Sequence, residues 1–363
     1  MFKKYWWKVL AILLLLYTFV AGLGIPMGAG IRTISPTRIG TAGLQTLTLT
    51  SYNADYQQDI SNNVFKIRLR LNKNEALCSK NVRTDAAGQI LVDFEIPAGQ
   101  LPVDSTPLGP NKRAPYPLLE VSSPRYGYSS VQSAIAFIPT QGEVKADLLC
   151  AVAADFADAN PQRFPFLHIL EETIRNLFFH VPMWFGMMLL LLVSAIYSIR
   201  YLRNPQNEYL DHAARSFAAV GLLYGVLGII TGAVWARFTW GAWWSWDVKQ
   251  NTSAVALLIY MAYFVLRGSF EDLDKQARVA AVYNIFAFAT LIPLLYIVPR
   301  MVDSLHPGMG GNPAFNSYDL DNALRIVFYP SILAWILIGV WLAQIGTKVL
   351  VLRQQAQEAN EGE

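Results

Sequence analysis

Five tryptophans fall within twelve residues, in Trp235-Ala-Arg-Phe-Thr-Trp240-Gly-Ala-Trp243-Trp244-Ser-Trp246-Asp247. An aromatic belt at a membrane interface accounts for one or two tryptophans per span end, as at Trp6, Trp7 or Trp184, but not for a run this dense that ends in an acid. Indoles are large, rigid stacking faces with few torsions to freeze, so the run suits a flat apolar ligand. Two histidines bracket it: His180 in Phe178-Phe179-His180-Val181-Pro182 and His306 in Ser304-Leu305-His306-Pro307-Gly308. A lone interfacial histidine is usually a hydrogen-bonded amphipathic side chain. A pair flanking a tryptophan platform fits the axial ligands of haem iron, for which neutral imidazole is favoured. The reading is therefore haem b, with His180 and His306 on the iron and Trp240, Trp243, Trp244 and Trp246 as stacking surfaces. Arg237, Lys249 and Arg300 fall at the same level and suit the propionates. Asp247 has three readings: cap of the following helix, partner that orients an imidazole, or counter-ion of Lys249. His168, on an amphipathic stretch, and His212, in an inner loop with Arg203 and Arg215, are expected to be structural.

These residues need a membrane frame. Of 363 residues, 53% are hydrophobic and 15% charged, well below the roughly 25% charge of soluble domains. Six segments approach the length of a span, which takes about 20 mostly apolar residues: Trp6–Ile25, Pro182–Leu202, Arg215–Trp235, Thr252–Leu266, Val279–Val298 and Ile326–Val351. The first is read as an uncleaved anchor rather than a signal peptide, because no small-x-small site follows its apolar core. With the N-terminus inside, Lys3, Lys4, Lys8, Arg200, Arg203, Arg215, Arg267, Lys275, Arg278, Lys348 and Arg353 gather on the inner side. The two short outer loops carry Arg237, Lys249, Arg300 and Arg325. This bias predicts cytoplasmic termini, and it puts both site histidines and the tryptophan loop on the outer face. Pro182 suits a first helical turn, so His180 is expected at a helix start.

The long segment between the first two spans has another character. Leu44–Thr50, Val64–Leu71, Gln89–Ile96 and Ser133–Ile138 alternate apolar and polar residues between Gly, Pro, Asn and Asp clusters, which predicts a small antiparallel β-sandwich. It lies outside the cytoplasm, where Cys78 and Cys150 can pair as a structural disulfide. From Phe166 to Phe179 the pattern turns helical, with Glu171, Glu172 and Arg175 opposite the apolar face, as in an interfacial amphipathic helix. The expected fold is an α-helical polytopic membrane protein of six transmembrane helices with an inserted extracytoplasmic β-rich, sandwich-like domain. Its parts are a first helix at 1–26, the β-rich domain at 27–160, the interfacial helix at 161–181, a five-helix membrane domain at 182–352 with the tryptophan loop at 235–251, and a cytoplasmic tail at 353–363.

Other classes fit poorly. A net charge of +3, scattered along the chain, gives no footprint for nucleic acid. Two cysteines do not make a disulfide scaffold or a structural zinc site. There is no Cys-x-x-Cys-His, no P-loop and no H-E-x-x-H. A small-solute transporter predicts charged residues or broken helices near mid-membrane; Pro293 is the one notable breaker in the spans, and no span carries a run of acids or bases. A purely structural scaffold leaves the tryptophans and histidines unexplained.

At these residues the chain resembles the haem-handling superfamily named for its tryptophan-rich W-G-x-x-W-x-W-D signature. Trp240-Gly241-Ala242-Trp243-Trp244-Ser245-Trp246-Asp247 fits the signature, His180-Val181-Pro182 looks like its first external histidine, and Leu305-His306 looks like its second. In the order of parts and the six spans it is most similar to the CcmC type of cytochrome c biogenesis protein, over the first span and residues 165–350. The resemblance implies a bacterial cytoplasmic membrane protein that holds haem at the outer face between the two histidines. It implies transfer to the haem chaperone CcmE, whose loaded form is released by an ABC transporter (CcmA with CcmB) and the small membrane protein CcmD. Covalent attachment of haem to the chaperone would be the chemistry, and no acid, base or nucleophile is picked for it. The β-rich stretch departs from the short loop expected there; it either docks a chaperone or shields the site. The nearest alternative is the CcsA or CcmF type of haem lyase component, to which Asp247-Val248-Lys249 bears some likeness. Those relatives imply a further histidine-bound haem within the bilayer, and no predicted span here contains a histidine.

Overall fold

A computed structural model describes residues 2–104, 116–132, 134–138, 149–152, 163–167, 170–302, 304–306 and 320–361. The chain divides into two compact units, one of residues 1–24, 175–309 and 325–363, the other of residues 25–174 and 310–324. Each has its own core.

The first helix, α1 (Phe2–Gly24), is an apolar run that stops just before Pro26, which disfavours helix in the residue preceding it. Leu13, Leu16, Val20 and Leu23 stand exposed along it, as a lipid-facing surface requires. Buried Thr18 returns its hydroxyl to the Leu14 carbonyl at 2.8 Å.

The second unit holds β1 (Gly30–Ser35), β2 (Arg38–Ile39), β3 (Gly43–Tyr52), the short helix α2 (Gln57–Ser61), β4 (Lys66–Arg70), β5 (Glu75–Thr84), β6 (Ile90–Ile96), β7 (Leu118–Ser123), β8 (Gly127–Val131), β9 (Ala136–Phe137) and β10 (Leu149–Ala151). Alternate residues Leu47 and Leu49, Ile67 and Leu69, Val92 and Phe94, and Leu119 and Val121 form its core, the period-two pattern of strands with one buried face. The strands form one continuous sheet, ordered β1-β3-β6-β5-β4-β7-β8 with β10 on β5, and a separate β2–β9 pair, and both halves of the sheet contribute to one core. The continuity comes from β5. Its first residues pair with β4 and β10, its last with β6, and its register slips between Ser79 and Asn81. A bulge of this kind bends a strand, so one strand serves both halves. Cys78 and Cys150 are disulfide-bonded, with Cα atoms 6.0 Å apart. The Ser133–Ile138 strand shortens to β9, and Ser133 lies outside the described residues.

The interfacial helix also changes. Phe166–Phe179 is not one α-helix; a 3₁₀ helix covers Glu171–Phe178, and Glu171 has φ +45, which breaks any helix entering from upstream. Its acids are tied at the surface: Glu171 pairs with Arg32 at 2.8 Å and Glu172 accepts from the Tyr52 hydroxyl at 2.7 Å.

The remaining helices are α3 (His180–Arg203), α4 (Glu208–Trp240), α5 (Val248–Gly268), α6 (Leu273–Ile292), the one-turn α7 (Val298–Met301) and α8 (Asn322–Glu361). Among the described residues, six helical segments are long and apolar enough to cross a membrane, α1, α3, α4, α5 and α8 among them; the chain is a multi-pass membrane protein. Pro293 is not alone in the last spans, where Pro299 and Pro330 also lie. Pro293 opens a π turn (Pro293–Ile297) after α6, and Pro330 sits inside α8. At 33 residues, α4 is about 50 Å long by its rise per residue, against a hydrocarbon core of about 30 Å. It therefore includes His212 and Arg215, which belong to a helix end and not to an inner loop. His212 Nε2 meets Gln354 Oε1 at 2.6 Å.

A glycine row on α4 seats α3. A Cβ at Gly221 would come within 2.6 Å of Leu191, at Gly225 within 2.9 Å of Met187, at Gly228 within 2.9 Å of Trp184, and at Gly232 within 2.7 Å of His180. Small residues at this spacing let membrane helices approach closely. The bundle also buries polar groups: Asn284 donates to Ser194 and Ser198 at 2.7 and 2.8 Å, and Arg267 clasps Asp211 through both guanidinium nitrogens.

Candidate functional site

His180 is the first residue of α3, and α4 fixes its ring. Its Nδ1 lies 3.0 Å from the Gly228 carbonyl oxygen and 3.2 Å from Thr231 Oγ1. The Thr231 hydroxyl reaches the Leu227 carbonyl at 2.8 Å, which leaves imidazole N–H to Gly228 as the consistent tautomer and Nε2 as the nitrogen with a free lone pair. Gly232 keeps space beside the ring.

The tryptophan loop begins where α4 ends. Gly241, at φ +83, is the left-handed residue that closes the helix, and Arg237 donates to its carbonyl. Ser245 donates through both backbone N–H and hydroxyl to Gln250 Oε1, each at 2.9 Å. Asn251 donates to the Trp246 carbonyl at 2.9 Å. Trp246 is held at φ +56, a costly conformation for a bulky side chain, and the next residue turns inward as the N-cap of α5. Asp247 Oδ1 accepts from the Lys249 backbone N–H at 2.9 Å.

The same carboxylate gathers the segment that carries the second histidine. His306 Nδ1 is 2.7 Å from Asp247 Oδ1, the Ser304 hydroxyl 3.0 Å from Oδ1, and the Leu305 N–H 2.8 Å from Oδ2. Burial by itself pushes the Asp247 carboxyl up. The bonds from His306, Leu305 and Ser304 outweigh it and hold the group below the ordinary carboxylate range. Asp247 is thus both helix cap and imidazole partner. His306, like His180, has its Nδ1 engaged and its Nε2 spare.

Two indoles connect the imidazoles. Trp235 stands with its ring centroid 6.4 Å from His180 and 6.3 Å from His306. Trp240 meets His306 edge-on at 4.8 Å and Trp235 at 5.2 Å. Of the four tryptophans read from the sequence as the platform, Trp240 touches a histidine. Trp244 is half-buried, and Trp243 and Trp246 are 58% and 78% exposed. Trp235, Trp184 (6.2 Å from His180), Thr231, Gly228 and Gly232 were not singled out by sequence reasoning. The Gly228-x-x-x-Gly232 spacing, with Thr231 between, was the available signal.

Among the basic residues, exposed Arg237 is tied to its own loop, half-buried Lys249 sits in the first turn of α5 within electrostatic reach of Asp247 and Arg300, and Arg300 is exposed on α7. His168 lies outside the described residues.

Residues 146–306 match the cytochrome C assembly protein family, a span that ends on His306. Heme exporter protein C of Bradyrhizobium diazoefficiens is 27% identical over 192 residues, 51% of this chain and 69% of the relative. Heme exporter protein C of Escherichia coli K12 is 24% identical over 184 residues, 50% of this chain and 71% of the relative. Cytochrome c biogenesis protein CcsA of Prochlorococcus marinus is 34% identical over a shorter 95 residues, 26% of this chain and 30% of the relative. The family match covers the part of the chain that builds the two imidazoles and the tryptophan loop, and there the chain is similar to cytochrome c assembly proteins of the heme exporter protein C type.

Proposed function

We propose that this chain binds haem b at the outer face of a bacterial cytoplasmic membrane and hands it to the haem chaperone CcmE during cytochrome c maturation. The observation that carries the reading is the pair of imidazoles, each with Nδ1 hydrogen-bonded and Nε2 spare, on either side of Trp235 and Trp240. The donor set fits haem: two neutral nitrogens, apolar aromatic walls, and cations at Lys249 and Arg300 for the propionates. When bound, haem would supply an iron centre for the two imidazole nitrogens and a flat apolar face for the indoles. The chain's own contribution is to fix both tautomers and to hold the indoles in place. Basic residues concentrated at the ends of α1, α3, α5 and α8 away from the site support cytoplasmic termini and an outward-facing site. CcmA, CcmB and CcmD would act after loading.

A CcsA- or CcmF-like lyase would call for a further histidine ligand within the bilayer. His212 is the remaining described histidine, and Gln354 engages it at the far end of α4, which favours the single-site reading. The test is covalent haem on CcmE in cells expressing the full chain with His180→Gly or His306→Gly. Loading should fall at least about tenfold in each, and normal loading in both would refute the proposal.

A further inference from the structure

The two imidazoles are backed by unlike groups. His180 Nδ1 faces a backbone carbonyl and a threonine hydroxyl, both neutral, at 3.0 and 3.2 Å. His306 Nδ1 faces a carboxylate at 2.7 Å, with the Asp247 side chain only 2% exposed. A hydrogen bond to an ionised acceptor is roughly twice as strong as a neutral one. A carboxylate behind an imidazole also raises its basicity as a ligand. Their supports differ as well. His180 is part of a helix, seated on α4. His306 belongs to a non-helical stretch, and Asp247 takes its backbone neighbour Leu305, the Ser304 hydroxyl and the imidazole together. Because Asp247 also caps α5, this one carboxylate ties His306 to a rigid element.

We propose that Asp247 is the positioning residue of His306 and makes the two histidines unequal ligands, with His306 the anchor and His180 the exchangeable one. This rests on the haem-binding reading above and adds an order to it. His306 would keep hold of the haem, and His180 would be the nitrogen that is released first. That release would break one iron–nitrogen bond with no change of oxidation state; the covalent attachment to the chaperone is a separate step.

The experiment uses the full-length chain purified with haem, in four variants. Asp247→Asn keeps a good N-cap and an oxygen for His306 but removes the charge, and Asp247→Glu returns the charge. His180→Gly and His306→Gly remove one ligand each. The readouts are haem per protein, the absorption and electron paramagnetic resonance spectra, and the midpoint potential. Asp247→Asn should raise the midpoint potential, because the anionic backing favours ferric iron, and should weaken haem retention by about tenfold. Asp247→Glu should restore both in part. His180→Gly should keep most of its haem and accept added imidazole, whereas His306→Gly should lose most of it. An unchanged potential in Asp247→Asn, identical behaviour of Asn and Glu, or equal haem loss in the two glycine variants would each overturn the proposal while the haem site stands. Absence of a two-imidazole spectrum in the unsubstituted protein would overturn the haem reading and this inference together.

Discussion

At the scale of single residues, the site depends on what holds each Nδ1. Gly232 shows this most sharply, because a Cβ there would sit 2.7 Å from His180 Cε1. The ring would have to turn away, and its bond to Gly228 would break. Gly232→Ala is therefore expected to lower haem per protein by at least about tenfold, as loss of the groups that orient a ligand does, in protein that still folds. Gly268→Ala, at a position with open space around it, is the matched control and should bind haem normally; equal loss in both would contradict the role given to Gly232. Trp246 makes a related point. Its left-handed backbone costs on the order of 1–2 kcal/mol, and the bonds from Asn251 to its carbonyl and from Lys249 to Asp247 offset that cost. The return is that Asp247 turns inward while Trp246 stays outside.

At the scale of elements, α4 is the ruler. Its glycine row sets the register of α3, so the position of His180 follows from packing several turns away. Gly225→Ala would put a Cβ 2.3 Å from Leu257 and 2.9 Å from Met187, and overpacking of this kind costs about 1–3 kcal/mol. A lower thermal midpoint is expected, with partial recovery on adding Leu257→Ala, and no change in midpoint would show that the row is not close-packed. This register explains what the residues alone could and could not reveal. The tryptophan run, the two histidines, the apolar spans and the β-strand alternation are local signals of type and spacing, readable one segment at a time. Trp235 and Trp184 gain their meaning only when α3 and α4 are set side by side. The continuous sheet hangs on the register slip in β5 at Ser79–Asn81, a position with no glycine or proline to mark it. The 3₁₀ helix at Glu171–Phe178 follows from partners on β1 and β3 that periodicity does not show.

At the scale of the whole molecule, each unit closes its own core: strand residues such as Leu47, Leu69 and Phe94 in one, helix residues such as Met187, Tyr224 and Leu257 in the other. The disulfide links positions 72 residues apart in the β unit, and closing a loop of that size is worth about 4 kcal/mol in the entropic model. Cys78→Ser with Cys150→Ser should lower the unfolding transition of that unit and leave the haem spectrum unchanged. Loss of the spectrum would mean that the β unit completes the site. The membrane unit carries the central claim, that His180 and His306 together hold haem. Absorption and electron paramagnetic resonance spectra of the purified full-length protein test it most directly, taken on the unsubstituted chain and on His180→Gly with His306→Gly. A low-spin, two-imidazole haem in the first and its loss in the second, with partial return on adding imidazole, is the predicted result. An identical haem spectrum in the double variant would contradict the account.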